Sequence, residues 1–282
     1  MQAAAERPAP ALRRIAQRTR GRKNGPATRL MSPSDFGQLL KPFVFLDFFD
    51  LAGPPFVGAL HPHSGIATLS YLIDGRMDLI DPDGRTEVLP EGGVEWMQAG
   101  GGMWHGGSIG DEGHGRVRGF QLWVALPPEL ELGPASAVFQ STADIAASGP
   151  VRVLLGSHGD ARSAIPAPSP MNFLAVSLKA GERWMYLPPD RHTVLWVAPV
   201  EGDLLANGEA LQPEELVAFE PSSLAVEFVA TGDTRFVLGS AAPHPHDLVT
   251  GYYSVHTSRA ALRDGEARIQ AIGARLRGEG RL

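Results

Sequence analysis

His61 and His63 stand two apart in the stretch HPHSGIATLSYLIDG, residues 61–75. On an extended strand, residues i and i+2 face the same way, so both imidazoles point to one side. Pro62 between them donates no backbone hydrogen bond and suits a strand start or a sheet edge. His105 follows three glycines in GGVEWMQAGGGMWH, residues 92–105. If its strand lies beside the first, three imidazole nitrogens converge. Neutral imidazole suits Fe(II), Zn, Cu and Ni. Three protein ligands with positions left open make a catalytic rather than a structural metal site. The same residues also suit an arrangement without metal, in which each histidine ends a strand and hydrogen-bonds to a loop.

The other candidates carry weaker signals. His192 stands alone in the second half, and His114 sits on a Gly-rich loop. His244 and His246 repeat the two-apart spacing, but Pro243 and Pro245 favour an extended loop there. His256 suits a local hydrogen bond beside a helix start. Glu95 falls in the same strand region as Trp96, with no spacing that brings it to the histidines. Trp96, Met97, Met103, Trp104, Phe120 and Trp123 suit a barrel core. If that barrel is open, Trp96, Met97, Met103 and Trp104 are the candidates for an apolar wall round an aromatic ligand. The chain has no cysteine, which excludes disulfides, thiolate ligands and a cysteine nucleophile. It has no phosphate-cradling Gly-rich loop before a helix and no Gly-x-Ser-x-Gly nucleophile motif.

The elements that must hold these residues are strands. The chain's 33 Gly and 24 Pro suit many short strands joined by tight turns. Asp74-Gly75 is a two-residue hairpin signal between TLSYLI and RMDLID, and Pro82, Asp83 and Gly84 make a second turn. A second strand-rich block, about 171–240, repeats the layout with turns at Glu201-Gly202 and Asn207-Gly208, a weak internal duplication. From Thr257 onward the period becomes helical, with Leu262, Ile269, Ile272 and Leu276 as a stripe and Thr257 or Ser258 as N-cap. The expected fold class is therefore all-β, two successive barrels with a short C-terminal helix. The expected division is a basic arm at 1–26, a first barrel at 27–134, a linker and second barrel at 135–256, and a helix at 257–282.

Charge is uneven. The formal net charge is −6, yet Arg7, Arg13, Arg14, Arg18, Arg20, Arg22, Lys23 and Arg29 face a single acid, Glu6, at the N-terminus. This arm is expected to be solvated or partly docked, and it is the one feature that suits nucleic acid. No apolar run approaches the roughly 20 residues of a membrane span. No apolar segment of a secretory signal follows the basic stretch. The expectation is a cytoplasmic protein without membrane contact.

Several long motifs, in order, resemble the pirin family of the cupin superfamily: HPHSGIATLSYLIDG, GGVEWMQAGGGMWH and RGFQLWVALP. KPFVFLDFFD is similar to that family's early strand. The resemblance covers residues 27–126 and is looser in the C-terminal half, where GSAAPHPHDLVTGYYSVHTS departs from the family's pattern. It implies a bicupin, two jelly-roll-like barrels face to face, with one metal in the N-terminal barrel and none in the C-terminal one. It implies Fe(II) as the metal, with Zn, Ni, Cu or Mn as alternatives. Pirin-like proteins include quercetin 2,3-dioxygenases, which open a flavonol ring with dioxygen, and transcriptional co-regulators. The family's ligands are three His and one Glu. His61, His63 and His105 match the histidines, the Glu position is Gly107, and a further family Glu is Ala67 here. With both carboxylates absent, two functions stay open: an Fe(II)-dependent dioxygenase acting on a small flavonol-like aromatic molecule, or a non-enzymatic regulator with a protein partner or vestigial cupin with weak or no metal binding.

Overall fold

The computed structural model describes residues 12–80, 86–109 and 115–282. His114, the turn at Pro82–Gly84 and the first part of the basic arm lie outside them. The turn signals fall between strands, but only some join paired ones: Asn207-Gly208 links Leu204–Ala206 to its partner Glu209–Leu211, while Glu201-Gly202 passes from one sheet to the other. The Asp74-Gly75 turn does not close a hairpin as expected: Ile66–Asp74 and Met77–Ile80 pair in different sheets, and Gly75, at φ +87°, carries the chain from one sheet to the other in a left-handed conformation in which an added Cβ would meet Val117 at 2.8 Å.

The first barrel is built from β2 (Arg22–Asn24), β3 (Ala27–Met31), β4 (Phe43–Leu51), β5 (Phe56–His63), β6 (Ile66–Asp74), β7 (Met77–Ile80), β8 (Thr86–Leu89), β9 (Val94–Gln98), β10 (Met103–Ile109), β11 (Val117–Ala125) and β12 (Ser136–Gln140). Seven form one antiparallel sheet in the order β12-β9-β6-β11-β4-β3-β2, and the other four form a facing sheet, β5-β10-β7-β8. The second barrel repeats this plan. Its larger sheet also has seven strands, among them Met171–Leu178, Val194–Glu201 and Thr234–Ala241, and its smaller sheet has four. The duplication legible in the turn spacing is thus a duplication of architecture, and the fold is all-β with one long C-terminal helix, α1 (Arg259–Gly278).

Two strands belong to barrels that the expected division does not give them. Before β2, β1 (Ile15–Thr19) is an edge strand of the second barrel's large sheet, with Thr19 opposite Leu216. Arg13 is 1% exposed, and its Nε donates to the Glu220 carbonyl at 2.7 Å. Residues 13–24 are therefore the partly docked form of the expected arm, a strap that pairs with both barrels while most of its side chains stay exposed. The reason is that the edge of Leu216–Phe219 offers unpaired backbone groups, which β1 satisfies. The second strand, β12, lies beyond residue 134 but pairs with β9 and belongs to the first barrel.

The two large sheets pack face to face. On β6, Ala67, Leu69, Tyr71 and Ile73 enter one buried cluster with Phe173, Trp196 and Val237 of the second barrel. Phe43 meets Trp196 edge-on, with centroids 5.5 Å apart. At the rim, Arg118 pairs with Asp74 and with Glu201 at 2.9 Å, and Arg235 reaches Asp74 at 3.3 Å. The alternate residues of β6, Thr68 and Ser70, turn into the first barrel, as a period of two requires. No helix among the described residues is long and apolar enough to cross a membrane.

Ser258 caps α1, accepting from the Ala261 N–H at 3.1 Å. The helix buries Ala261, Gly265, Ile269, Gly273 and Leu276, so its inward face is centred on small residues, with Leu262 and Ile272 half-buried beside them. Trp104 lies across this face. Its Nε1 donates to the Ile269 carbonyl at 2.9 Å, and its ring fills the space over Gly273. Trp104 is an anchor for the helix, which corrects its reading as pocket wall.

Candidate metal centre

β5 and β10 run antiparallel with His105 opposite His61 and Met103 opposite His63. This register brings the i and i+2 pair of β5 to the third histidine. Ring centroids are 4.5 Å apart for His61–His105, 5.0 Å for His61–His63 and 5.1 Å for His63–His105. One ligating nitrogen from each ring lies within 4.8 Å of the others, and among the described residues these three are the group with metal-binding spacing.

Two rings have their outer nitrogen taken. His61 Nδ1 is 2.9 Å from the Ala59 carbonyl, and His63 Nδ1 is 3.1 Å from the Tyr253 carbonyl. A carbonyl only accepts, so each Nδ1 carries the proton and each Nε2 presents a lone pair. His105 is 8% exposed, and both its nitrogens are buried without a hydrogen-bond partner. A buried polar atom left so costs about 1–3 kcal/mol. Burial lowers the pKa of all three rings. His63 falls to about 3, with the His61 charge adding to the effect, and His105 falls well below the ordinary value. The His61 shift is also downward and is partly offset by the Ala59 carbonyl. Three neutral imidazoles, one with an orphaned nitrogen, are a donor set that fits a borderline transition metal.

These rings sit at the inner end of a pocket of about 660 Å³. Its walls come from paired positions on β4 and β11. Trp123 is opposite Phe45 and Gln121 is opposite Asp47, so one aromatic and one polar pair face inward together. Phe45 and Trp123 stack at 4.2 Å with planes 12° apart. Arg29 grips Asp47 through two hydrogen bonds, 2.9 and 3.0 Å, while its guanidinium lies 4.2 Å over Phe45. Tyr253 adds a third aromatic wall, 5.5 Å from His61.

Tyr253 is delivered by a hairpin, Val249–Gly251 with Ser254–His256, that comes from beyond the second barrel. A buried polar network fixes it. Ser64 Oγ donates to Ser254 Oγ at 2.9 Å and lies 3.0 Å from His256 Nε2. His256 Nδ1 is 3.1 Å from Glu131, which also accepts from the Thr257 N–H at 2.7 Å and hydroxyl at 2.6 Å. His256 is therefore a long-range tie and not a local helix-end contact.

The structure separates the remaining candidates. Trp96 is 2% exposed and belongs to the seam between barrels, and Met97 is fully buried outside the pocket. Neither is a wall residue: Trp96 has the outward parity of β9, while Met97 shares the inward parity of Glu95 but does not border the pocket. Met103 borders a second, smaller cavity beside His105. Of the two positions where family carboxylates are absent, Ala67 faces the seam and points away from the histidines. Only Gly107 is on the site's own strand. A bulge between His105 and Gly107 turns that position toward β7, where a Cβ would come within 2.4 Å of the Asp78 carbonyl. His192 bonds Ser240 at 3.0 Å inside the second barrel, and His244 and His246 lie on a loop.

Sequence reading missed Asp47, Gln121 and Arg29. A signal existed for two of them: each is a polar residue two places from an aromatic one within an apolar strand, the parity of a barrel's inner face. Tyr253 carries no local signal, since its partner His63 is 190 residues away.

Comparison with known proteins gives a consistent set of likenesses. A family model described as Pirin matches residues 25–124. A Pseudomonas aeruginosa protein, provisionally named quercetin 2,3-dioxygenase, is 34% identical over 199 residues, covering 66% of this chain and 68% of the relative. A pirin-like protein of Caulobacter vibrioides is 29% identical over 242 residues, with 79% and 81% covered. Among solved structures, quercetin 2,3-dioxygenase from Acinetobacter baumannii superimposes with a TM-score of 0.81 at 23% identity, covering 95% of this chain and 98% of that one. A bacterial pirin from Escherichia coli in complex with nickel(II) gives 0.66 at 20% identity, with 83% and 99% covered.

Proposed function

This chain belongs to the pirin family, and we propose on that footing that it is a dioxygenase acting on a flat, enol-bearing aromatic substrate of flavonol type, with Fe(II) held by His61, His63 and His105. The observation that carries this reading is the convergence of three neutral imidazoles, within 4.8 Å, at the end of an aromatic-walled pocket large enough for a multi-ring ligand. The names of the Pseudomonas and Acinetobacter relatives support the activity, and the nickel(II) complex of the Escherichia pirin supports metal binding. A bound transition metal supplies Lewis acidity and an electron path between an organic substrate and dioxygen.

The chain's own residues do the rest. Phe45, Trp123 and Tyr253 line the pocket with aromatic side chains against which a substrate ring can pack. Asp47, held by Arg29, presents a carboxylate in the pocket that can accept a hydroxyl proton from the substrate. The Arg29–Asp47 pair thus takes the base role that Gly107 cannot fill. Tyr253 closes one side and limits water.

The test is metal content by elemental analysis of wild type and His105→Ala, purified without chelator or nickel resin, followed by oxygen uptake with quercetin. Near-stoichiometric metal that falls at least tenfold in the variant, with uptake only in the loaded wild type, is the expected result. Absence of metal in wild type after anaerobic iron loading would overturn the reading. It would leave the second one, a barrel kept for binding a partner, which the neutral, carboxylate-free donor set favours.

A further inference from the structure

A second cavity, of about 90 Å³, shares His105 with the large pocket but touches neither His61 nor His63. Glu95 borders it and is 4% exposed. Its Oε2 accepts from Ser70 Oγ at 2.8 Å, and it has no Lys or Arg partner among the described residues. A carboxylate this deep is costly unless a cation or donor compensates it. His105 has the complementary deficit. Only one of its nitrogens can turn to His61 and His63, and the other is equally buried and without a partner. The space between suits water, since about 30 Å³ holds one molecule and polar groups border the cavity.

We infer that Glu95 is the outer carboxylate of the metal centre, reaching the far nitrogen of His105 through water held in this cavity. The inference rests on the metal-site reading above. It gives each histidine an acceptor for its outer N–H: the Ala59 carbonyl for His61, the Tyr253 carbonyl for His63 and Glu95 for His105. Such acceptors fix the tautomer and raise ligand basicity. Glu95 also returns to the centre one negative charge that Gly107 cannot carry. It acts on the metal through His105 and is a positioning residue.

The experiment is a chelator-competition titration of Co(II) and Zn(II) into wild type, Glu95→Gln, Glu87→Gln and His105→Ala, with the Co(II) absorption spectrum recorded for each. Glu87 borders the same cavity but is exposed, so it controls for general acidity. Glu95→Gln is expected to weaken both metals about 10–100-fold and to shift the Co(II) bands, with apo melting no lower than wild type. Glu87→Gln should bind as wild type does. Affinity for Glu95→Gln within twofold of wild type, with superimposable spectra, would overturn this inference while leaving the three-histidine site intact. Equal weakening by Glu87→Gln would overturn it too. If wild type binds no metal that His105→Ala loses, the metal-site reading itself fails and this inference falls with it.

Discussion

Glu95 titrates against the fold. Burial raises its pKa from 4.5 to about 7, with the Ser70 hydrogen bond opposing. The folded apo protein therefore holds a proton there that the unfolded chain has already released. Its contribution to stability is fully present below about pH 4.5 and is lost as pH rises through 7, a loss of about 3 kcal/mol for a shift of this size. Glu95→Gln should remove that slope. Apo variant and wild type should melt alike near pH 4.5, and the variant should be the more stable at pH 8, read as the difference in Tm across the range. A flat difference would show that the carboxyl titrates normally. This residue also shows what a sequence discloses at the smallest scale. His61 and His63 are legible because two-residue spacing is the period of a strand. Glu95 lies between Val94 and Trp96, and its inward direction follows only once β9 has been registered against β6.

At the scale of elements, the three-histidine cluster of the first barrel is completed by the far end of the chain. The 249–256 hairpin supplies the carbonyl that holds His63, and Ser64, His256 and Glu131 fasten that hairpin down. His256→Ala leaves Ser64 and Glu131 short of a partner, a cost of about 1–3 kcal/mol. We expect faster amide hydrogen exchange confined to residues 249–257 and weaker metal binding, with the strands of the second barrel unchanged. Exchange that rises uniformly would mean the network supports the whole fold and not the hairpin. The helix that follows was legible from its period and its Ser258 cap, because those are local properties. The hairpin was not, because nothing near Tyr252 and Tyr253 in the sequence records the barrel mouth they meet. The same limit hid β1, a strand whose partner lies about 200 residues on.

Across the whole molecule, the two barrels share a core. Their division was legible from the repeated turn spacing, and the shared seam was not, since both faces of the central strands are apolar and either could have been the interior. Trp196 is fully buried in that seam, edge-on to Phe43. Gly239 stands against its ring with no room for a Cβ, so the indole is fixed in place. Phe43 begins β4, the strand whose Phe45 and Asp47 wall the pocket. With apolar residues of both barrels in one cluster, a strap paired with both and ion pairs at the rim, neither barrel has a boundary at which it can unfold alone. Trp196→Ala should cost about 3–5 kcal/mol, lowering the melting temperature on the order of 10 °C. Calorimetry should show a single transition displaced as a whole, with calorimetric and van't Hoff enthalpies still in agreement. Two resolved transitions, with the first barrel keeping its wild-type melting temperature, would mean the barrels are independent units. The strap and seam would then serve only to set their orientation.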